Sequence, residues 1–105
     1  MSAELHKKQI FKRLRLGIQG VVQGVGYRPF VYVTAKKFEL TGFVGNESKG
    51  VFVEVEGEAE NLRNFQNYLR ANPPPLAHIN EIKVEELVLQ SSTNFYIAKL
   101  NTGQK

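Results

Sequence analysis

Apolar residues alternate with polar or small ones early in the chain, where Leu14, Leu16 and Ile18 are separated by Arg15 and Gly17. A period of two puts successive side chains on opposite faces of an extended backbone, so this stretch predicts a strand with one buried face, running to about Val22. The period then changes. After Gln23-Gly24-Val25-Gly26-Tyr27-Arg28, residues Phe30, Val31, Thr34, Ala35 and Phe38 fall at helical spacing behind Pro29. Proline suits a first helical position because its missing N–H would have no partner there.

Residues 41–44 predict a second strand, 46–50 a turn, and 51–56 a third strand with Val51, Val53 and Val55 on one face; together they form a hairpin. Residues 58–71 predict a second helix with Leu62, Phe65 and Leu69 as its inner stripe, stopped by Asn72-Pro73-Pro74-Pro75. Ile82 and Val84 mark a fourth strand whose alternation slips at Glu85-Glu86, where a bulge or strand end is expected. Phe95 and Ile97 suggest a short final strand. The order βαββαβ, with a short edge strand added, has each helix crossing over between strands. Right-handed crossovers then put both helices on one face of a mostly antiparallel sheet, an α+β ferredoxin-like sandwich. That architecture hosts enzymes, metal carriers and RNA binders, so function has to be argued from side chains.

At 105 residues and 42% hydrophobic content, the chain fits one domain with one core. The expected layout is a flexible basic tail over residues 1–12, a folded domain over 13–98 and a C-terminal tail over 99–105. No apolar run is long enough to cross a bilayer, and the first residues lack the apolar stretch of a secretion signal, so a soluble, cytoplasmic, monomeric protein is expected. Cysteine is absent, which removes disulfides, thiolate zinc sites and a cysteine nucleophile. All ten acidic residues are Glu, which removes an aspartyl-phosphate intermediate. The two histidines, His6 and His78, are far apart and too few for an ordinary catalytic zinc site. Neither a metal nor another cofactor is therefore expected.

The net charge of +4 changes meaning once it is located. Residues 1–15 hold five basic residues and one acid, whereas residues 16–105 hold nine of each. The excess sits at the start of the chain, where a solvated terminus explains it better than a nucleic-acid-binding arm. An RNA-recognition domain would also place paired aromatics in a basic central strand, and Val51-Phe52-Val53-Glu54-Val55-Glu56 is acidic. No nucleic-acid or membrane partner is expected.

Candidate chemistry concentrates where the first strand runs through glycines into a helix. Gly24 and Gly26 allow backbone angles at which successive N–H groups converge on one anion, and the helix start adds partial positive charge. Arg28 stands at the junction, and Pro29 after it is expected to push its backbone away from helical angles. Its guanidinium can give a phosphate two parallel charge-assisted hydrogen bonds. Taken alone, the same residues also fit a tight turn with a surface arginine. Asn46, before the predicted turn, likewise fits an ordinary hairpin residue that tolerates left-handed angles.

Two linked motifs carry a resemblance. The stretch from Gly20 to Arg28 resembles the acylphosphatase signature Gly-x-Val-Gln-Gly-Val-x-aromatic-Arg, and Gly42-Phe43-Val44-Gly45-Asn46 resembles the second signature, Gly-aromatic-Val-x-Asn. Arg28-Pro29-Phe30 and Pro74-Pro75-Leu76-Ala77-His78-Ile79 are most similar to the N-terminal acylphosphatase-like domain of hydrogenase-maturation carbamoyltransferases. The resemblance implies a phosphate-binding loop of Gln23, Gly24, Val25, Gly26, Tyr27 and Arg28, with Arg28 binding the phosphate and Asn46 orienting the attacking water. It implies hydrolysis of acyl phosphates, carbamoyl phosphate among them, to carboxylate and inorganic phosphate. An excised carbamoyltransferase domain and a non-catalytic phosphate-binding module remain the alternatives. Tyr27 and Phe30 are expected to be core anchors, Ser48 a turn residue, and His78 a surface or packing residue.

Overall fold

The computed structural model describes residues 10–99, so residues 1–9, with His6, and the chain beyond residue 99 lie outside it; of the tail expected at residues 1–12, Phe11 and Lys12 belong instead to the first strand. Seven elements follow in order: β1 (Phe11–Val21), α1 (Tyr27–Lys37), β2 (Thr41–Glu47), β3 (Gly50–Glu58), α2 (Ala59–Ala71), β4 (His78–Leu87) and β5 (Phe95–Ile97). The strands form one sheet in the order β4-β1-β3-β2-β5. All pairings are antiparallel except β2 with β5, which is parallel. The ferredoxin-like arrangement expected from the sequence is therefore present, with the extra strand making the sheet mixed.

The alternation in β1 has the consequence expected of it. Leu14, Leu16 and Ile18 are buried on the helix-covered face, in register with Val55, Val53 and Val51 of β3. From the other side of this layer, Val31 and Ala35 of α1 and Leu62, Phe65 and Leu69 of α2 close the core. Burying each such aliphatic or aromatic side chain contributes about 1.5–3 kcal/mol, which is why the two helices stay on this face. They also meet each other: Tyr68 of α2 lies against Phe30 of α1 and against Phe38, which caps that helix, with ring centroids 6.2 and 5.8 Å away.

Three boundaries differ from the sequence expectation. Helix α1 begins at Tyr27, so Pro29 is its third residue and Arg28 lies inside its first turn. Pro29 costs no helical hydrogen bond at this position, because first-turn N–H groups have no helical acceptors, and Tyr27 is buried at the helix start. Strand β2 continues through Asn46 and Glu47, leaving Ser48 and Lys49 as the turn. No slip occurs at Glu85-Glu86, which pair with Arg15 and Leu14; the register shifts instead between Gln19 and Gly20, opposite Asn80.

The other face of the sheet holds a ladder of charges. Arg13 is 1% exposed, and its Nε and Nη2 donate to Glu54 Oε1 at 3.1 and 2.9 Å while Nη1 donates to Glu56 Oε1 at 3.0 Å. Arg15 donates to Glu54 Oε2 and Glu47 Oε1, and its guanidinium lies 4.7 Å from the Phe52 ring centroid. Arg13 and Arg15 are thus partners of the acids on β2 and β3 and do not belong to a solvated basic terminus. The segment joining β4 to β5 covers this end: Gln90 and Ser91 N–H donate to the Glu56 carboxylate at 2.9 and 2.8 Å, and Ser92 Oγ accepts from Arg13. Burial opposes ionisation of Glu56, but these two backbone N–H groups and Arg13 outweigh it and hold the carboxyl below its ordinary value.

Candidate functional site

Register brings the two sequence motifs to one end of the sheet. Ile18 pairs with Val51, and Val51 pairs with Asn46, so these three lie in one row on the helix-covered face. One turn of chain beyond that row, β1 gives way to the loop and α1 begins. Asn46 therefore projects from the sheet toward the side on which the Arg28 helix turn sits.

The loop is built by its glycines. Gly24 and Gly26 have φ of 76° and 78°, left-handed angles that a residue with a Cβ adopts only under strain. No atom lies within 4 Å of where a Cβ would stand on either, so their role is the turn itself. Gly26 then caps α1, with no side chain accepting from the first-turn N–H groups and no acidic residue in that turn. The first helical bond is Phe30 N–H to Gly26 carbonyl, 3.2 Å, which leaves the N–H groups of Tyr27 and Arg28 without helical acceptors. A short arc of backbone donors, reinforced by the positive end of the helix, can thus face an anion.

Arg28 is half-buried in this turn and forms no salt bridge among the described residues. Its neighbour Tyr27 is 1% exposed and packs against Phe30 at 5.6 Å between centroids, as a core anchor should. Burial pushes the Tyr27 phenol well above its ordinary pKa, with Arg70 only partly offsetting this, so it stays a neutral phenol and is no candidate base. Val25 packs on the core from within the loop.

Asn46 differs from its sequence expectation in an informative way. It lies in β2 and its φ is not positive, so the backbone makes no demand for asparagine there. Its Oδ1 is buried with no protein donor within reach. An acceptor so placed can take a hydrogen bond from a water or a ligand. Gln23, placed by sequence among the phosphate-binding residues, sends its side chain elsewhere: Nε2 donates to the carbonyls of Glu47 and Gly50, at 2.7 and 2.8 Å. Periodicity gives no sign of that link, which joins positions on two separate elements.

His78 is exposed at the start of β4, paired with Val21. A cleft of about 420 Å³ between the end of α2 and the start of β4 is lined by Arg70, Pro73, His78 and Asn80 among others, and includes neither Arg28 nor Asn46. A small anion held by backbone N–H groups and a guanidinium needs only a shallow cradle, so anion binding at the loop would not require that cleft. Among the described residues no three His or Glu side chains come together to hold a metal ion, and no helix is long and apolar enough to cross a membrane.

Comparison with known proteins bears on the fold and the family. A probable carbamoyltransferase HypF from Methanocaldococcus jannaschii is 43% identical over 88 residues, covering 83% of this chain but 12% of its own length. An acylphosphatase from Thermotoga petrophila is 38% identical over 87 residues, 82% of this chain and 96% of its own. The crystal structure of full-length HypF in its phosphate- and nucleotide-bound form superposes with a TM-score of 0.86 at 38% identity, over 90% of this chain and 13% of that one. The chain thus spans about an eighth of the carbamoyltransferases it matches and nearly the whole of a free-standing acylphosphatase. The acylphosphatase family model matches residues 14–97, almost all of the folded part, and the chain belongs to the acylphosphatase family.

Proposed function

We propose that this domain hydrolyses acyl phosphates by direct attack of water. The phosphate sits against the N–H groups from Gly24 to Arg28, and the Arg28 guanidinium gives it two charge-assisted bonds. Water held by Asn46 Oδ1 attacks phosphorus, the P–O bond to the acyl group breaks, and the carboxylate leaves with the electron pair. A carboxylate whose conjugate acid has a pKa of about 4 needs no general acid to depart. Asparagine is too weak a base to take the water proton, so that proton passes to a phosphate oxygen. Positioning and electrostatic stabilisation are what a loose phosphoryl-transfer transition state mainly requires.

The observation that carries this reading is the buried, unpartnered Oδ1 of Asn46 at the same end of the sheet as the uncapped helix start bearing Arg28. The test is inorganic phosphate release from acetyl phosphate in chelator. Hydrolysis is expected to persist in chelator, with little action on simple phosphate monoesters, whose poorer leaving groups need an acid the site does not supply. Activity that vanished with chelator and returned with magnesium would overturn the mechanism. Loop chemical shifts that respond to phosphate without any turnover would instead favour a non-catalytic phosphate-binding module.

Carbamoyl phosphate is the favoured substrate within this class, supported by the match to HypF proteins and by the Arg28-Pro29-Phe30 junction. A higher kcat/KM for carbamoyl phosphate than for acetyl phosphate is the corresponding result. Asn46→Ala is expected to lower kcat on the order of 100-fold, the scale of a misplaced reacting group, while phosphate affinity is largely retained. A folded Asn46→Ala protein with the wild-type rate would remove Asn46 from the mechanism.

A further inference from the structure

We infer that Gln23 is a positioning residue whose side chain clasps the phosphate-binding loop to the hairpin strand bearing Asn46, fixing the phosphate site relative to the attacking water. The inference rests on the acyl phosphate reading above and assigns Gln23 a part in it other than phosphate contact.

Both protons of one amide group are committed. Gln23 Nε2 donates to Glu47 O at 2.7 Å and to Gly50 O at 2.8 Å, the two residues that flank the Ser48-Lys49 turn. Because both partners are carbonyl oxygens, the nitrogen must be the atom facing them, which settles the orientation of the amide. The hairpin end is itself held: Glu47 pairs with Gly50 through the backbone and accepts from Arg15 through its side chain. Asn46 immediately precedes Glu47, so the clasp closes one residue away from the water-orienting side chain.

The loop needs such a hold. Gly24 and Gly26 touch nothing at their Cβ positions, and Gln23, Gly24 and Gly26 are all exposed, so packing fixes this loop only through Val25 and its ends. Among the described residues, the two Gln23 bonds are the side-chain hydrogen bonds that tie this loop to another element. Attack requires phosphate and water to be held at one separation, and these two bonds join the elements that hold each.

Gln23→Met keeps the length of the side chain and removes its donors; Gln23→Glu puts a carboxylate against two carbonyl oxygens. Acetyl phosphate hydrolysis is expected to fall in kcat by roughly 10- to 100-fold for Gln23→Met and further for Gln23→Glu, with phosphate affinity falling less than kcat. The decisive measurement is a double-mutant cycle, run at raised enzyme concentration: in an Asn46→Ala background, Gln23→Met should cost little more, since the water it would misplace is already unpositioned. In parallel, phosphate titration should shift both the loop amides and the Asn46 side-chain amide in the wild type, and only the loop amides in Gln23→Met. A folded Gln23→Met protein with wild-type kcat, an equal fold-loss in both backgrounds, or an unchanged Asn46 response would each overturn the clasp while leaving the acyl phosphate reading intact. No turnover by the wild-type protein would remove that reading and the positioning role together.

Discussion

Arg28→Ala protein should turn over acetyl phosphate between about 100- and 10,000-fold more slowly than the wild type, and should bind inorganic phosphate more weakly. A hydrogen bond to a charged group contributes roughly 1.5–3 kcal/mol, and on the proposed mechanism the guanidinium would supply two, with each 1.4 kcal/mol worth about a factor of ten. The phosphate is charged in both ground and transition states, so binding and rate should suffer together, unlike the rate-dominated defect expected at Asn46. Arg28→Lys keeps the charge but not the planar fork, and should fall between the two. Arg28 has no salt-bridge partner among the described residues, so its removal breaks no ion pair there. A folded Arg28→Ala protein with wild-type kcat/KM would show that the loop alone handles the phosphate.

The largest stability effect is expected far from that loop. Arg13→Ala should lower the free energy of unfolding by about 3–5 kcal/mol in a denaturant titration, the cost of breaking a buried ion pair from one side. Glu54 would keep Arg15, and Glu56 would keep the N–H groups of Gln90 and Ser91, but both carboxylates would lose the guanidinium that lies between them. The same cluster sets a pH dependence. The folded-state pKa of Glu56 lies below its unfolded value of about 4.3, so its stabilising contribution is present above that pH and is lost as pH falls through the folded value. Glu56→Gln should be less stable at neutral pH and lose stability less steeply on acidification. A loss under about 1 kcal/mol for Arg13→Ala would mean that the ladder is neutral to stability.

How far the sequence could be read depended on whether neighbours along the chain carried the information. The stripe of Leu62, Phe65 and Leu69, the alternation of Leu14, Leu16 and Ile18, and the valines of β3 all have the burial their spacing predicted, because each pattern repeats within one element. The start of α1 lies two residues before the position that Pro29 predicts, and the buried Tyr27 it includes carries no local signal of that start. Asn46 reads as a turn residue in sequence but lies in β2, because nothing local distinguishes the end of a strand from the start of its hairpin. The ladder from Arg13 to Glu56 was invisible, since its members are joined only across strands, and Arg13 and Arg15 looked like part of a basic terminus. The hydrogen bonds of Gln23 cannot be read from its place in the loop, because they depend on which carbonyls β2 and β3 bring to it.

The place of β1 in the sheet has a consequence for how the chain reaches its native state. β1 precedes the other strands among the described residues, yet it lies between β3 and β4, with Leu14 set against Val55 and Leu16 against Val84. Neither partner can form with material close in sequence, so chain entropy is spent closing long loops before the pairings repay it, the condition that slows folding. During synthesis, one edge of β1 has to wait until most of the domain has left the ribosome. The helix α1 and the β2–β3 hairpin, by contrast, are complete from their own residues. The glycine loop, hung between the end of β1 and the start of α1, therefore has one of its two anchors in the part of the sheet expected to close late.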